Sequence, residues 1–288
     1  MKNLKNYILS AAVLVGFMSC SSDDNDAVAN NVTLEFTNTF NNTTIVLGDA
    51  TAADATENTS EMGQVHHFSE LKYVVSNIRL IKADGTEIPY NVNDLDNGAT
   101  VINQANTETL SYVLSDIPVG DYTEIKFGLG VKSDLNDLDQ VSFPEFYDNA
   151  GSNETQMHWE WGTGYRFTKI EGFYDTDNKE LSFHSGSTLE GEEGNYTQGV
   201  DAYRDITLSL PTTATVGNSA PTIAINANFD YLLSGENYTI TLVTTEDITN
   251  NATPSAHTAT EMMKFVENIG GNGTTDTTGM FSITSVEN

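Results

Sequence analysis

Apolar side chains recur at every second position through much of this chain, and that period constrains its fold more than any other feature. Ile125, Phe127, Leu129 and Val131 alternate with smaller or polar residues. The same spacing returns at Val32, Leu34 and Phe36, at Leu71, Tyr73 and Val75, at Ile206, Leu208 and Leu210, and at Ile223, Ile225, Ala227 and Phe229. A period of two belongs to extended strands, whose residues point alternately to the two faces of a sheet. Only one segment has helical spacing. There Thr258-x-x-Glu261 fits a capping box, Met262, Val266 and Ile269 follow, and Gly270-Gly271 stops the pattern. Eight or so short strands, separated by polar loops and followed by one late helix, predict a mainly β fold. We expect a single antiparallel β-sandwich with long polar loops and one short C-terminal helix over residues 259–269.

Local signals sharpen this expectation. After Val75 the apolar parity slips to Ile78 and Leu80, which predicts a β-bulge at Ser76-Asn77. Asp84-Gly85 is a favoured tight-turn pair. A strand from about Tyr165 to Tyr174, a turn at Asp175–Asn178 and a return strand from Leu181 to His184 predict a β-hairpin. No repeat and no Pro- or Ser-rich linker divides residues 31–288, so one domain is expected there.

The N-terminus reads as an export signal. Lys2 and Lys5 form a basic start, residues 8–18 are mostly apolar, and Phe17-Met18-Ser19-Cys20 resembles a lipobox. Residues 1–19 are then a lipoprotein signal peptide, Cys20 the lipidation site and residues 20–30 a flexible tether. That places the protein at the outer membrane or cell surface, held to the membrane by a lipid anchor. The run Ser21-Ser22-Asp23-Asp24-Asn25-Asp26 resembles the export tag of surface lipoproteins and reads equally well as a polar tether. With 12 Lys+Arg against 41 Asp+Glu, and a formal charge of −29, nucleic-acid binding by phosphate neutralisation is excluded.

Cys20 is the only cysteine, so there is neither an intramolecular disulfide nor a Cys/His zinc site. The five histidines are His66, His67, His158, His184 and His257, and imidazole suits copper, zinc and nickel. His158 and His184 flank the two strands of the expected hairpin near its open end, which brings them close together. Both tryptophans, Trp159 and Trp161, lie beside His158. At i and i+2 on an extended segment they point the same way, with His158 and Glu160 opposite. Trp159, Trp161 and Tyr165 also suit an aromatic patch for glycan or protein, and plugging the core is as good a reading. Asp175, Asp177 and Glu180 are spaced as a weak calcium set, although a solvated turn explains them better. Glu160 and Glu171 match the residue types of a glycosidase pair, but carboxylates are so abundant here that this carries little weight. There is no nucleophile elbow, P-loop or dinucleotide fingerprint, so no enzyme and no catalytic residue is expected.

The stretch from Met157 to Gly172, M-x-W-x-W-x-x-G-Y-x-F-x-K-x-E-G in outline, is followed by Phe183-His184-Ser185-Gly186. It resembles the MbnP-like proteins. These are β-rich copper-binding proteins of the bacterial envelope, associated in some genomes with methanobactin operons. Weaker echoes run from Val32–Phe36 through Leu71–Leu80 and Pro118–Ile125 to the last helix, so the resemblance covers most of residues 31–288. It implies a copper site built from histidines, with His158 and His184 the first candidates and His66, His67 or His257 as a third ligand. In some relatives a partner di-haem enzyme oxidises a tryptophan near the metal to kynurenine, which points to Trp159 or Trp161. The resemblance thus implies a non-catalytic protein of copper storage, carriage or acquisition.

Overall fold

A computed structural model describes residues 30–288 apart from 50–51, 53, 139, 152–154, 160–163, 192–194, 196, 244–250, 253, 257–258 and 274–278. Its principal elements, in order, are β1 (Val32–Phe40), β2 (Val65–Ile81), β3 (Thr100–Asn103), β4 (Ser111–Leu114) and β5 (Gly120–Leu129). They continue with β6 (Arg166–Tyr174), β7 (Lys179–Gly186), β8 (Arg204–Val216), β9 (Thr222–Asn228), the helix α1 (Ala259–Ile269) and β10 (Phe281–Glu287).

Two sheets pack face to face, as the alternating pattern predicts. The larger has the order β8-β5-β2-β6-β7, ending on the short strand Ser255–Ala256. Its long strand β2 also pairs with β3. The smaller has the order β10-β9-β1, with Thr43–Thr44 and β4 along the outer side of β1. Between them Phe36 reaches Tyr73 at 6.2 Å, and Phe127 meets Phe281 edge-on at 5.2 Å. Tyr73 and Phe127 belong to the larger sheet, Phe36 and Phe281 to the smaller. Period-two burial on both inner faces therefore produces one continuous apolar core.

Most strand pairs are antiparallel, but β1 and β9 run parallel from Thr33↔Thr222 to Thr39↔Asn228. Parallel neighbours need a long crossover, and here residues 41–221 lie between them. The slip at Ser76-Asn77 is a register shift between Ser76 and Arg79 against β5, with Asn77 at φ 51. A second shift, between Phe68 and Glu70, has no counterpart in the apolar pattern. Gly85 takes the positive φ that the Asp-Gly turn requires. The helix α1 covers the inner side of β7, where Phe265 stacks on Phe183 at 4.2 Å. Loops read as irregular carry short helical turns at Leu95–Gly98, Ser133–Asn136 and Pro144–Phe146. Among the described residues no helix is long and apolar enough to cross a membrane.

Candidate metal centre

The expected hairpin is present as β6 and β7, paired from Lys179↔Tyr174 to Gly186↔Arg166. Its turn holds Asp175 and Asn178 at φ 60 and 54, a conformation these two residue types tolerate. Lys179 Nζ lies 3.1 Å from Asp175 Oδ2 and 3.4 Å from Asp177 Oδ1. The carboxylates considered as calcium ligands thus already face a cation of the chain itself. Glu180 is exposed.

Registers across β2, β6 and β7 sort their side chains onto two faces. Leu71, Ile170 and Phe183 lie in one row on the inner face, and Tyr73, Thr168 and Ser185 in the next. The outer face carries Glu70, Glu171 and Ser182 in one row, then Lys72, Lys169 and His184 in the next. Opposite charges therefore stand on adjacent rows. Lys169 Nζ donates to Glu70 Oε2 at 2.8 Å and lies 3.6 Å from Glu171 Oε1, while Lys72 Nζ sits 2.6 Å from Glu70 Oε1. Lys72, Lys169 and His184 are each buried despite facing outward. At the end of the ladder His184 Nε2 is 2.9 Å from Glu171 Oε1 and 3.3 Å from Ser182 Oγ. The hydrogen bond from His184 is the main reason the Glu171 carboxyl is lowered from its usual range to about 2. The positive charge of Lys169 acts in the same direction, and burial opposes both.

The segment around His158 lies across this outer face. Lys72 donates to the Thr155 carbonyl at 3.0 Å and Lys169 to Gln156 Oε1 at 2.9 Å. Arg166 Nη1 donates to the carbonyls of Gln156 and His158, both at 2.7 Å. Its guanidinium stacks 4.4 Å from the Trp159 ring. The Trp159 ring in turn lies 6.1 Å from that of His184. His158 turns the other way: its ring packs edge-on against Tyr147 and Tyr165 at 5.5 and 5.2 Å, and its Nδ1 is 2.9 Å from the Trp159 carbonyl oxygen. His158 and His184 therefore border the same segment with different neighbours, and Trp159 rather than His158 forms the ring contact with His184. Tyr165 is only 5% exposed and packs on Phe146 at 4.9 Å, so of the proposed aromatic patch this member belongs to the core.

Two glycines of the sequence motif have structural reasons. A Cβ on Gly172 would collide with the His67 carbonyl oxygen, where β2 makes its second bulge against β6. One on Gly186 would press to 3.1 Å from Trp159 Nε1. The glycine of F-H-x-G thus makes room for the tryptophan beside the histidine.

His66 and His67 are neighbours on β2 and face opposite ways. His67 is on the outer face, two rows and two strands from His184, with Glu57 Oε2 at 4.0 Å. His66 is on the inner face, 0% exposed, stacked 6.3 Å from Phe40. Among the described residues neither of its ring nitrogens has a hydrogen-bond partner. Burial depresses its pKa from 6.5 to about 4, partly offset by the negative charge of Asp175 and reinforced by His67. A sheet separates His66 from His184, so these two imidazoles belong to separate places. His257, Trp161, Glu160 and Cys20 lie outside the described residues.

Buried imidazole nitrogens are donors of the type copper takes. The donor chemistry of this chain thus fits copper. Among the described residues, however, no group of three or more His, Cys, Asp or Glu side chains is placed to hold a metal ion. Sequence reasoning had no reason to single out Glu70 and Lys72, and met Lys169 only as a position of the motif. Their signal is the alternation Lys169-x-Glu171 facing Glu70-x-Lys72, which has meaning only once the register is known.

No curated protein matches this chain. The solved structure of MbnP from Methylosinus trichosporium is similar at 14% identity, with 72% of this chain and 79% of that one covered and a TM-score of 0.47. The sequence model of the MbnP family matches residues 29–272, from before β1 to beyond α1 and across the whole β6–β7 hairpin, and the protein therefore belongs to the MbnP family.

Proposed function

We propose that this protein is a non-catalytic copper binder of the cell envelope, which stores, carries or acquires the ion through histidines. His158 and His184 are the first ligands, with His67 or His257 as a third, and Cys20 is the lipid-bearing residue that anchors the chain. The observation that carries this reading is the setting of His184. It is a buried imidazole hydrogen-bonded to a carboxylate and lying 6.1 Å from Trp159, within the motif that marks the family resemblance. Metal-binding histidines commonly give their second nitrogen to such a carboxylate. The burial of Tyr165 favours the metal over a glycan- or protein-binding platform. Oxidation of Trp159 or Trp161 by a di-haem partner enzyme belongs to the same reading.

Copper analysis of the purified full chain after loading tests it. We expect bound copper in the parent protein, its loss in His184→Ala and weakened retention in His158→Ala. Affinity should fall below about pH 6 as imidazole protonates. A parent protein that retains no copper, or two variants that both retain it unchanged, would refute the proposal at these residues.

A further inference from the structure

Where β9 ends, two adjoining surface hollows of about 400 and 440 Å³ share Asn41, Asn228 and Tyr231 in their lining. Asn228 is the last residue of β9, and its Oδ1 accepts the backbone N–H groups of Asn41 at 2.8 Å and Asp230 at 3.2 Å. Backbone N–H groups only donate, so the amide oxygen is held on that side and Nδ2 is left as a donor of fixed orientation. Asn226, two residues earlier on the same face of β9, lines the first hollow, with its Oδ1 3.1 Å from Thr39 Oγ1. The second hollow adds acceptors. Glu61 N–H donates to Ser234 Oγ at 3.1 Å, and that hydroxyl donates to Asp230 Oδ1 at 2.9 Å, which ties two carboxylate-bearing residues to one wall. Burial raises the Asp230 carboxyl above its usual value; the Ser234 hydrogen bond opposes this and the charge of Glu61 adds to it.

The lining selects among ligands. Leu208, Met280 and Phe281 lie beneath the first hollow and are buried, so it offers little apolar surface. Among the described residues neither lining holds a Lys, Arg or His, and two carboxylates stand in the second, which disfavours an anion. Oriented amide donors beside carboxylate acceptors match groups that both donate and accept, as hydroxyls do. The half-buried ring of Tyr231 stands between them as an aromatic surface. We propose that this rib binds a neutral, hydroxyl-rich saccharide. Asn226 and Asn228 donate to its oxygens, Asp230 and Glu61 accept from its hydroxyls, and Tyr231 meets a ring face. The site shares no residue with the Trp159 segment and does not rest on the copper reading.

The test is an array of neutral and acidic oligosaccharides probed with the labelled, metal-free full chain, followed by titration of the strongest neutral hit against variants. We expect neutral glycans to bind and acidic ones not to. Asp230→Asn keeps an oxygen for Ser234, and Glu61→Gln alters an exposed side chain, so both should keep the parent thermal midpoint. Each should weaken binding by about tenfold or more, the loss expected for a hydrogen bond to a charged group. Trp159→Ala should bind as the parent does. No response to any neutral glycan overturns the proposal, as does binding lost in Trp159→Ala and kept in both carboxylate variants. Calcium held by the parent and lost in Asp230→Asn, with no glycan response, overturns it in favour of a cation site.

Discussion

On the inner face of the larger sheet His66 stacks on Phe40, which also packs against Phe68; both its ring nitrogens lack a partner among the described residues and its basicity is depressed. On the outer face, a few residues away across the same strands, His184 meets Glu171, and Lys169 and Lys72 meet Glu70. Both histidines are buried, at 0% and 7% exposure. What separates them is the company: the inner face treats an imidazole as an aromatic filler, while the outer face treats it as a member of a charged ladder. Burial alone therefore says little about the role of a histidine here. The polar groups that face it decide whether it is held neutral and silent or oriented for contact.

Three changes would break or sharpen this contrast. The largest effect is expected where the inner face is purely apolar. Phe127 is fully buried between Phe36 and Phe281, so Phe127→Ala should cost about 3–5 kcal/mol, read as a lower urea midpoint. A loss well under 1 kcal/mol would mean that the two sheets are not packed through this ring.

The second concerns His66. Its folded pKa of about 4 is below the ordinary 6.5, so the unfolded chain takes up the proton first. Stability is then fully present above pH 6.5 and is lost as pH falls from 6.5 towards 4, by about 3 kcal/mol over that window. In metal-free His66→Leu this part of the slope should vanish, and stability at neutral pH should stay level or rise by about 1 kcal/mol because no unpaired polar group is buried. Parallel pH profiles of the two proteins would show instead that the imidazole is solvated.

The third and smallest tests the outer face. Lys169 is 5% exposed and bridges Glu70 and Gln156, with Glu171 alongside, so Lys169→Ala should cost about 2 kcal/mol and loosen the Thr155–Trp159 segment. Hydrogen exchange should rise at Arg166, whose backbone N–H is bonded to the Met157 carbonyl. Unchanged exchange there would separate the ladder from the segment that bears His158 and Trp159.

Local order was largely written in the chain. The alternation at Ile125–Val131, the bulge at Ser76-Asn77, the Asp84-Gly85 turn, the hairpin on Asp175–Asn178 and the helix over 259–269 each depend on a few adjacent residues, and each is present. The same holds for the motif from Met157 to Gly172, which already carried the resemblance to the family. A period of two states which residues share a face of a strand, but not which face the other sheet will cover. So His66 and His67 were equivalent candidates until the larger sheet packed on Phe40 and sent one inward and the other outward. The parallel pairing of β1 with β9, the bulge at Phe68–Glu70 that Gly172 accommodates, and the alignment of Lys72, Lys169 and His184 were likewise decided by tertiary structure. Each joins strands distant in the chain, and register between such strands is set by the sum of many weak cross-strand and packing contacts rather than by any local run of residues.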